Sequence, residues 1–387
     1  MSHSTIEFID LAAQRKRLGP QIEQAIARVL DHGRFVLGPE VGELEARLQT
    51  FSGARHCVTC ANGTDALELG LAALGVGPGD AVIVPAFTYL ATAEAVVRLG
   101  ATPVFADVDQ TSFNMCGDSA EAAIGVAKGL GLNVRCIIPV DLFGQPADYD
   151  MIGRLAEKHG LKVLADAAQS FGASWRGRKV GSLADVTITS FYPSKPLGCY
   201  GDGGAVFTDD PEIASLLRSL RNHGPADSGA IGERIGRNSR LDTIQAAILL
   251  EKLSIFESEI EARNTVARRY AERLPRSVVA PTVHQENLSV WAQYTLKVPG
   301  DRNAIAAACR ASGTPIAVHY TAPLHWLPTY KRFPTATPRL AGAEQLSTCV
   351  MSLPMHGYLD EATQDRVIDA VRRAVDSCAQ SPSKANA

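Results

Sequence analysis

The stretch His56-Cys-Val-Thr-Cys-Ala-Asn-Gly-Thr-Asp-Ala-Leu-Glu-Leu-Gly-Leu-Ala-Ala-Leu74 carries a complete strand–turn–helix unit. His56–Ala61 is a short, β-rich apolar run, and Thr64–Leu74 repeats its apolar residues at helical spacing. The alternation continues outward to Thr208. Further β-rich runs lie at Ala81–Pro85, Thr102–Val108, Cys136–Val140, Val163–Ala167, Val186–Tyr192 and Ala205–Thr208. Helical patterns such as Thr88–Leu99 and Tyr149–Lys158 separate them. Strands alternating with helices predict an α/β fold with a mainly parallel sheet. The strands are apolar on both faces, as required where helices cover both sides.

Beyond the alternation the pattern changes. From Arg240 to Leu274 apolar residues recur mostly at helical spacing, a run that would span about 50 Å. This predicts a connecting helix, with a kink or break near Ser254 left open. It leads into a smaller α+β unit with strands at Val290–Val298, Thr314–Val318 and Val350–Pro354 and helices at Arg302–Ser312 and Glu361–Cys378. The expected division is therefore a large domain over 1–250, a small one over 251–380, and a disordered tail over 381–387 that lacks packing residues.

Composition narrows the function. The 387 residues hold 38 Lys+Arg against 41 Asp+Glu, a net charge of −3, which argues against a nucleic-acid or anionic-membrane surface. Hydrophobic residues make up 46% and charged residues 20%, enough apolar material for a sizeable core. Glu7, Asp10, Arg15, Lys16 and Arg17 interrupt any apolar export signal, and no run approaches a membrane span, so a cytoplasmic location is expected. Eight cysteines are scattered along the chain. Cys57 and Cys60 are the close pair, but side chains three apart on a strand face opposite sides, and no second pair stands at zinc-ligand spacing. Buried thiols and no metal are expected.

Three segments carry chemistry. At Ala61-Asn-Gly-Thr-Asp-Ala66 a strand ends and a helix begins, so N–H groups at Gly63, Thr64 and Asp65 would face an anion together with the positive end of the helix. A plain N-cap by Asn62 or Thr64 accounts for the same residues. Gly75-Val-Gly-Pro-Gly79 precedes a strand and reads as a turn, which disfavours a nicotinamide site. Val163-Leu-Ala-Asp166 places a carboxylate at the end of an apolar strand, costly without a cationic partner. Lys195 sits in Ser190-Phe-Tyr-Pro-Ser-Lys-Pro-Leu-Gly-Cys-Tyr-Gly-Asp-Gly-Gly204, a Pro- and Gly-rich turn with few charges. There desolvation would lower its pKa and make it a nucleophile toward an aldehyde. A phosphate grip, a carboxylate for a ring nitrogen and a reactive lysine together are what pyridoxal phosphate needs.

These segments resemble the DegT/DnrJ/EryC1/StrS family of nucleotide-sugar aminotransferases over nearly the whole chain. The likeness also covers Leu37-Gly-Pro-Glu-Val, Pro85-Ala-Phe-Thr-Tyr-Leu-Ala-Thr-Ala, Asp166-Ala-Ala-Gln-Ser-Phe-Gly-Ala and Gly236-Arg-Asn-Ser-Arg-Leu-Asp-Thr-Ile-Gln-Ala-Ala-Ile-Leu. It implies an aspartate-aminotransferase-like fold (fold type I), with a mainly parallel seven-stranded sheet in the large domain. Ala292-Gln-Tyr-Thr and Val350-Met-Ser-Leu-Pro-Met-His most resemble the aminotransferases of UDP-2-acetamido-2-deoxy-3-oxoglucuronate, which serve bacterial surface polysaccharide.

The resemblance also implies roles. Lys195 would take the coenzyme and shuttle the proton, and Asp166 would hold the proton on the pyridine nitrogen. Gln169 would bond near the phenolic oxygen, Tyr89 would stack on the ring, and Gly63, Thr64 and Ser190 would bind the phosphate. Asn238 would reach the phosphate of a neighbouring subunit's coenzyme, which implies a homodimer with shared sites. Arg240, His319 and Tyr320 match substrate contacts, and an Arg suits the carboxylate of L-glutamate or of a hexuronate. Thr321 stands where the family usually has Pro, which bears on the pose of the sugar. Alternative readings are another nucleotide-linked 3- or 4-keto sugar (dTDP-linked, for example) and a non-catalytic coenzyme-binding regulator. A dehydratase of the same fold would replace the lysine with His, so Lys195 argues against it.

Overall fold

The seven β-rich runs form one sheet in the computed structural model, which describes residues 5–225, 230 and 232–380. Helices α1 (Leu11–Leu18), α2 (Gln21–His32) and α3 (Pro39–Ser52) precede it, in a region where the sequence reading placed no elements. The unit quoted first becomes β1 (His56–Cys60) and α4 (Gly63–Ala73). Then follow β2 (Asp80–Pro85), α5 (Ala91–Arg98), β3 (Thr102–Ala106), α6 (Gly117–Gly129), β4 (Asn133–Ile137), α7 (Tyr149–His159) and β5 (Lys162–Asp166). The short strands β6 (Ser174–Trp175) and β7 (Arg178–Lys179) leave the main sheet before β8 (Val186–Ser190) and β9 (Gly204–Thr208) complete it. The order is β1-β9-β8-β5-β4-β2-β3, parallel throughout except where β9 lies antiparallel to both of its neighbours. Six strands therefore present their carboxyl ends at one edge.

Local signals place the helix ends. Asp148 caps α7 by accepting from Met151 N–H at 2.9 Å, and Gly160 closes it in the left-handed conformation. Helix α8 (Pro211–Leu220) starts on the side chain of Asp210 with Pro in its first turn. Cys57 and Cys60 enter apolar clusters on opposite faces of the sheet, and all eight cysteines are free. Burial pushes the Cys60 thiol up to about 12, so it stays protonated.

Helix α9 (Thr243–Arg273) runs unbroken for 31 residues. The break left open near Ser254 does not occur, and its hydroxyl instead donates to Glu251 O at 2.6 Å. The first half of α9 buries Leu249, Phe256 and Ile260 with the sheet-side residues Phe171 and Phe207; Phe171 stacks on Phe207 at 5.3 Å between centroids. Its last turns bury Val266 and Tyr270 in a second core. The expected division at 250/251 falls inside this helix.

The second core lies among β11 (Tyr294–Lys297), α10 (Arg302–Ala311), β12 (Val350–Leu353) and α12 (Glu361–Gln380), and it takes Ile6 from the other end of the chain. Between Asn287–Leu288 (β10, paired with β6) and β11 the expected longer strand is cut short. Trp291 adopts φ +50°, and Val290 N–H donates to Gly144 O instead of to a strand partner. The expected strand Thr314–Val318 is reduced to an isolated bridge between Ala317 and Ser352, since Pro315 has no N–H to give a ladder. Helix α11 (Ala341–Cys349) and the segment before it return to the large domain, where Phe105 exchanges backbone bonds with Pro334 and Ala336. The tail expected over 381–387 lies outside the described residues. Phe256 is fully buried between α3 and the sheet, so Phe256→Ala is expected to cost about 3–5 kcal/mol. A lowered unfolding midpoint in urea with an unchanged slope checks it.

Candidate active site

The carboxyl edge of the sheet opens into a cavity of about 550 Å³, within the range of small-ligand sites. The loop after β1 supplies Gly63 and Thr64, the loop after β2 supplies Tyr89, and β5 supplies Asp166 and, just beyond, Gln169. Ser190 ends β8, Lys195 follows it, and His319 and Tyr320 come just after the Ala317–Ser352 bridge. Nine of the residues expected from sequence thus meet in one place. Asn238 and Arg240 do not line it.

The anion-binding end is built by close packing. A Cβ on Gly63 would stand 2.7 Å from Ser190 Cβ, so glycine lets the start of α4 sit against the end of β8. Gly204 does the same from β9, where a Cβ would meet Asn62 O at 2.5 Å. Asn62 is the N-cap, accepting from Asp65 N–H at 2.8 Å. The N-cap reading of this turn holds, with Asn62 taking the Asp65 N–H, and the Gly63 and Thr64 N–H groups are left without a partner among the described residues. Those two N–H groups and the Ser190 hydroxyl converge on the helix end, where negative charge is favoured.

Asp166 is buried and forms no ion pair among the described residues. Its carboxylate accepts from Thr92 Oγ1 at 2.9 Å and from Ala168 N–H at 3.2 Å. Burial pushes its carboxyl up, against those bonds and the charge of Lys195. The Lys195 amine is shifted the other way, lowered by burial and raised by Asp166. Asp166 is therefore short of counter-charge, and a protonated ring nitrogen beside it would supply it. The amine, being easier to deprotonate than an exposed lysine, suits attack on a carbonyl.

Gln169 is oriented from both ends. Its Oε1 accepts from Phe143 N–H at 2.7 Å, and its Nε2 donates to Tyr320 Oη at 3.2 Å. Tyr320 packs edge-on against Phe87 at 5.8 Å and lies 6.5 Å from the Tyr89 ring, and burial keeps it a phenol. Tyr89 itself is 54% exposed, an aromatic face open to a ligand. The His319 imidazole is lowered by burial and by Lys195, so it faces the cavity neutral. Its Nδ1 lies 3.4 Å from Ser352 Oγ.

Arg240, expected as a substrate contact, lies outside the cavity of its own chain. Its guanidinium donates to Asn222 Oδ1 at 2.9 Å and to Asn238 Oδ1, on an exposed segment outside the cavity. Residues without an expected role also belong to the site. Thr92 stands one helical turn after Thr88 and holds Asp166, a contact that nothing in the helix start signals. Gln293 lines the cavity with its buried Oε1 lacking a partner among the described residues.

A helix-end phosphate grip, a buried carboxylate and a desolvated amine gathered at one sheet edge meet the requirements of pyridoxal-phosphate chemistry on the aspartate-aminotransferase fold. Within that class, the chain belongs to the DegT/DnrJ/EryC1/StrS aminotransferase family, which matches residues 16–372. It is 50% identical to the UDP-2-acetamido-2-deoxy-3-oxo-D-glucuronate aminotransferase of Pseudomonas aeruginosa over 92% of this chain and 97% of that protein. Among solved structures, a DegT/DnrJ/EryC1/StrS aminotransferase from Brucella abortus superposes with a TM-score of 0.94 at 48% identity, covering 96% and 99% of the two chains. A Bacillus subtilis protein with bound pyridoxamine phosphate superposes at 0.88 and 29% identity, covering 97% and 86%.

The Thr92 bond predicts a measurable dependence. Thr92→Val removes a donor to a buried carboxylate and should weaken pyridoxal-phosphate binding to the apoprotein about tenfold to a hundredfold, read by absorbance titration.

Proposed function

We propose that this protein transfers the amino group of L-glutamate to UDP-2-acetamido-2-deoxy-3-oxoglucuronate, forming a UDP-linked 3-amino uronic acid and 2-oxoglutarate for bacterial surface polysaccharide. The observation that carries the reading is the desolvated Lys195 facing the same cavity as the buried carboxylate of Asp166. The 50% identity to an aminotransferase of that keto sugar supports the substrate.

Bound pyridoxal phosphate supplies an electrophilic carbonyl and a ring that withdraws the electron pair of a breaking C–H bond. The chain's residues do the rest. Gly63, Thr64 and Ser190, which line one end of the cavity, would hold the phosphate, and Tyr89 would cover a ring face. Asp166 keeps a proton on the ring nitrogen, so that the ring stays electron-poor, and Gln169 bonds the phenolic oxygen. Nζ of Lys195 carries the proton to and from the reacting carbon, which requires it to be neutral during part of the cycle. His319 and Tyr320 bound the sugar side.

The working unit in this reading is a homodimer. Asn238 and Arg240 lie together outside their own cavity, near Ile235, 99% exposed, and Phe35 and Val36 are half exposed beside the start of α9. Such a surface suits a second copy, whose coenzyme phosphate and substrate carboxylate these two side chains would reach. We place the enzyme in the cytoplasm. In support, its cysteines are free, and no helix among the described residues is long and apolar enough to cross a membrane.

Two experiments test this. Glutamate with UDP-linked 3-keto uronate should be turned over far faster than with a dTDP-linked 4-keto hexose, with ping-pong kinetics, and Lys195→Ala should abolish it. Equal amination of the two sugars would remove the substrate assignment. Mixing two inactive variants, Lys195→Ala and Asn238→Ala, should restore activity in the mixed dimer, because one of its two sites then has both residues. Continued inactivity of a verified mixed dimer would refute sharing.

A further inference from the structure

A second buried carboxylate stands behind the site. Asp141, fully buried between β4 and the turn Leu142–Gly144, takes three hydrogen bonds and forms no ion pair among the described residues. Its Oδ1 accepts from Ala147 N–H at 2.8 Å and from the Tyr149 hydroxyl at 3.0 Å, and its Oδ2 accepts from the Ser170 hydroxyl at 2.7 Å. Its own N–H donates to Asp166 O at 3.1 Å. Ser170 directly follows Gln169. One carboxylate therefore ties the turn holding Phe143 to the loop holding Gln169.

That turn is held in an unfavourable conformation. Phe143 has φ +59°, a left-handed backbone that bulky residues rarely adopt and that persists only when its surroundings enforce it. Asn114 Oδ1 accepts from Leu142 N–H at 3.0 Å, and Phe113 packs edge-on against Phe143 at 5.3 Å. The outcome is the 2.7 Å bond from Phe143 N–H to Gln169 Oε1. With its oxygen occupied, Gln169 must present its NH₂ to Tyr320 and the cavity. A carboxylate suits the anchoring position because the three groups facing it all donate, and it is an acceptor with both oxygens.

We propose that Asp141 is a positioning residue that, by joining Ala147, Tyr149 and Ser170, holds Phe143 N–H on Gln169 and so aims the Gln169 amide at the coenzyme's phenolic oxygen. The inference rests on the coenzyme reading above. Burial pushes the Asp141 carboxyl up to about 7, and the neighbouring Asp166 charge acts in the same direction. The cluster thus holds a buried acid by hydrogen-bond donors alone.

The test is a double-mutant cycle on pyridoxal-phosphate affinity, measured by titrating apoprotein, together with the position and pH titration of the coenzyme's long-wavelength absorbance band. Asp141→Ala should weaken binding about tenfold and shift the band. In a Gln169→Ala background the same change should alter affinity less than about twofold, because the group it positions is gone. Asp141→Asn keeps an acceptor for Ala147 and Tyr149, and Ser170 can turn to accept, so it should recover most of the affinity. If Asp141→Ala does not fold, Ser170→Ala serves in its place, with the same non-additivity and a smaller loss. Wild-type affinity and band in the variants, or additive losses with Gln169→Ala, would overturn the proposal. Failure of the wild-type apoprotein to bind pyridoxal phosphate would instead overturn the coenzyme reading itself.

Discussion

The end of β5 imposes a constraint that the surrounding structure answers: a carboxylate withdrawn from water needs charge or donors close by. Asp166 has Thr92 and Ala168 as donors, and the ammonium of Lys195 acts on it through the cavity. Neither donor neutralises it, and burial disfavours both the carboxylate and the ammonium. The pocket is therefore electrostatically incomplete by itself. A cofactor with a basic ring nitrogen and an aldehyde addresses both deficits, the nitrogen at Asp166 and the aldehyde at Lys195.

Topology makes this meeting general rather than fortuitous. Because β1, β2, β5 and β8 run the same way, the residues after each of them reach the same edge, where ligands of open α/β sheets bind. The reversed β9 closes the sheet beside β1, and its first residue, Gly204, leaves room for the Asn62 turn. The chain after Val318, which packs on the second core, then brings His319 and Tyr320 to that edge, with Tyr320 against the large core. Their distance in sequence from Gln169 is large, yet a single hydrogen bond, Gln169 to Tyr320, links coenzyme side and substrate side.

Legibility in sequence followed energetic cost. Asp166 and Lys195 stood out because a charge in an apolar run demands an explanation, and the strands stood out because two-sided burial leaves continuous apolar runs. The helices α1 to α3 lacked such a signal from a neighbouring strand. Pro315 ended a strand that its apolar neighbours suggested, and Trp291 in a left-handed conformation ended another. The Phe143 to Gln169 bond was invisible because it depends on a backbone conformation that Phe does not advertise. Thr92 was hidden for a different reason: nothing in a helix start says which buried acid a hydroxyl will meet. Arg240 was legible as a residue but not in position, since nothing in the sequence says that Asn222 and Asn238 hold its guanidinium outside its own chain's cavity.

The same reasoning explains why the substrate is harder to read than the coenzyme. The residues proposed to hold the coenzyme come from strand ends, where the sheet dictates position, whereas those proposed for the substrate, His319, Tyr320 and Arg240, lie on loops far along the chain. His319 enters the cavity neutral, since burial and the Lys195 charge both oppose its protonation, so it offers a hydrogen bond and no counter-charge for a uronate. A hexuronate carboxylate then needs a cation from elsewhere. Arg240, held by Asn222 and Asn238 outside its own cavity, has its guanidinium preset by two amide oxygens and retains further N–H donors. If a second copy brings that guanidinium to the cavity, the carboxylate is recognised across the subunit boundary, and selection of a uronate over a neutral sugar becomes a property of the dimer.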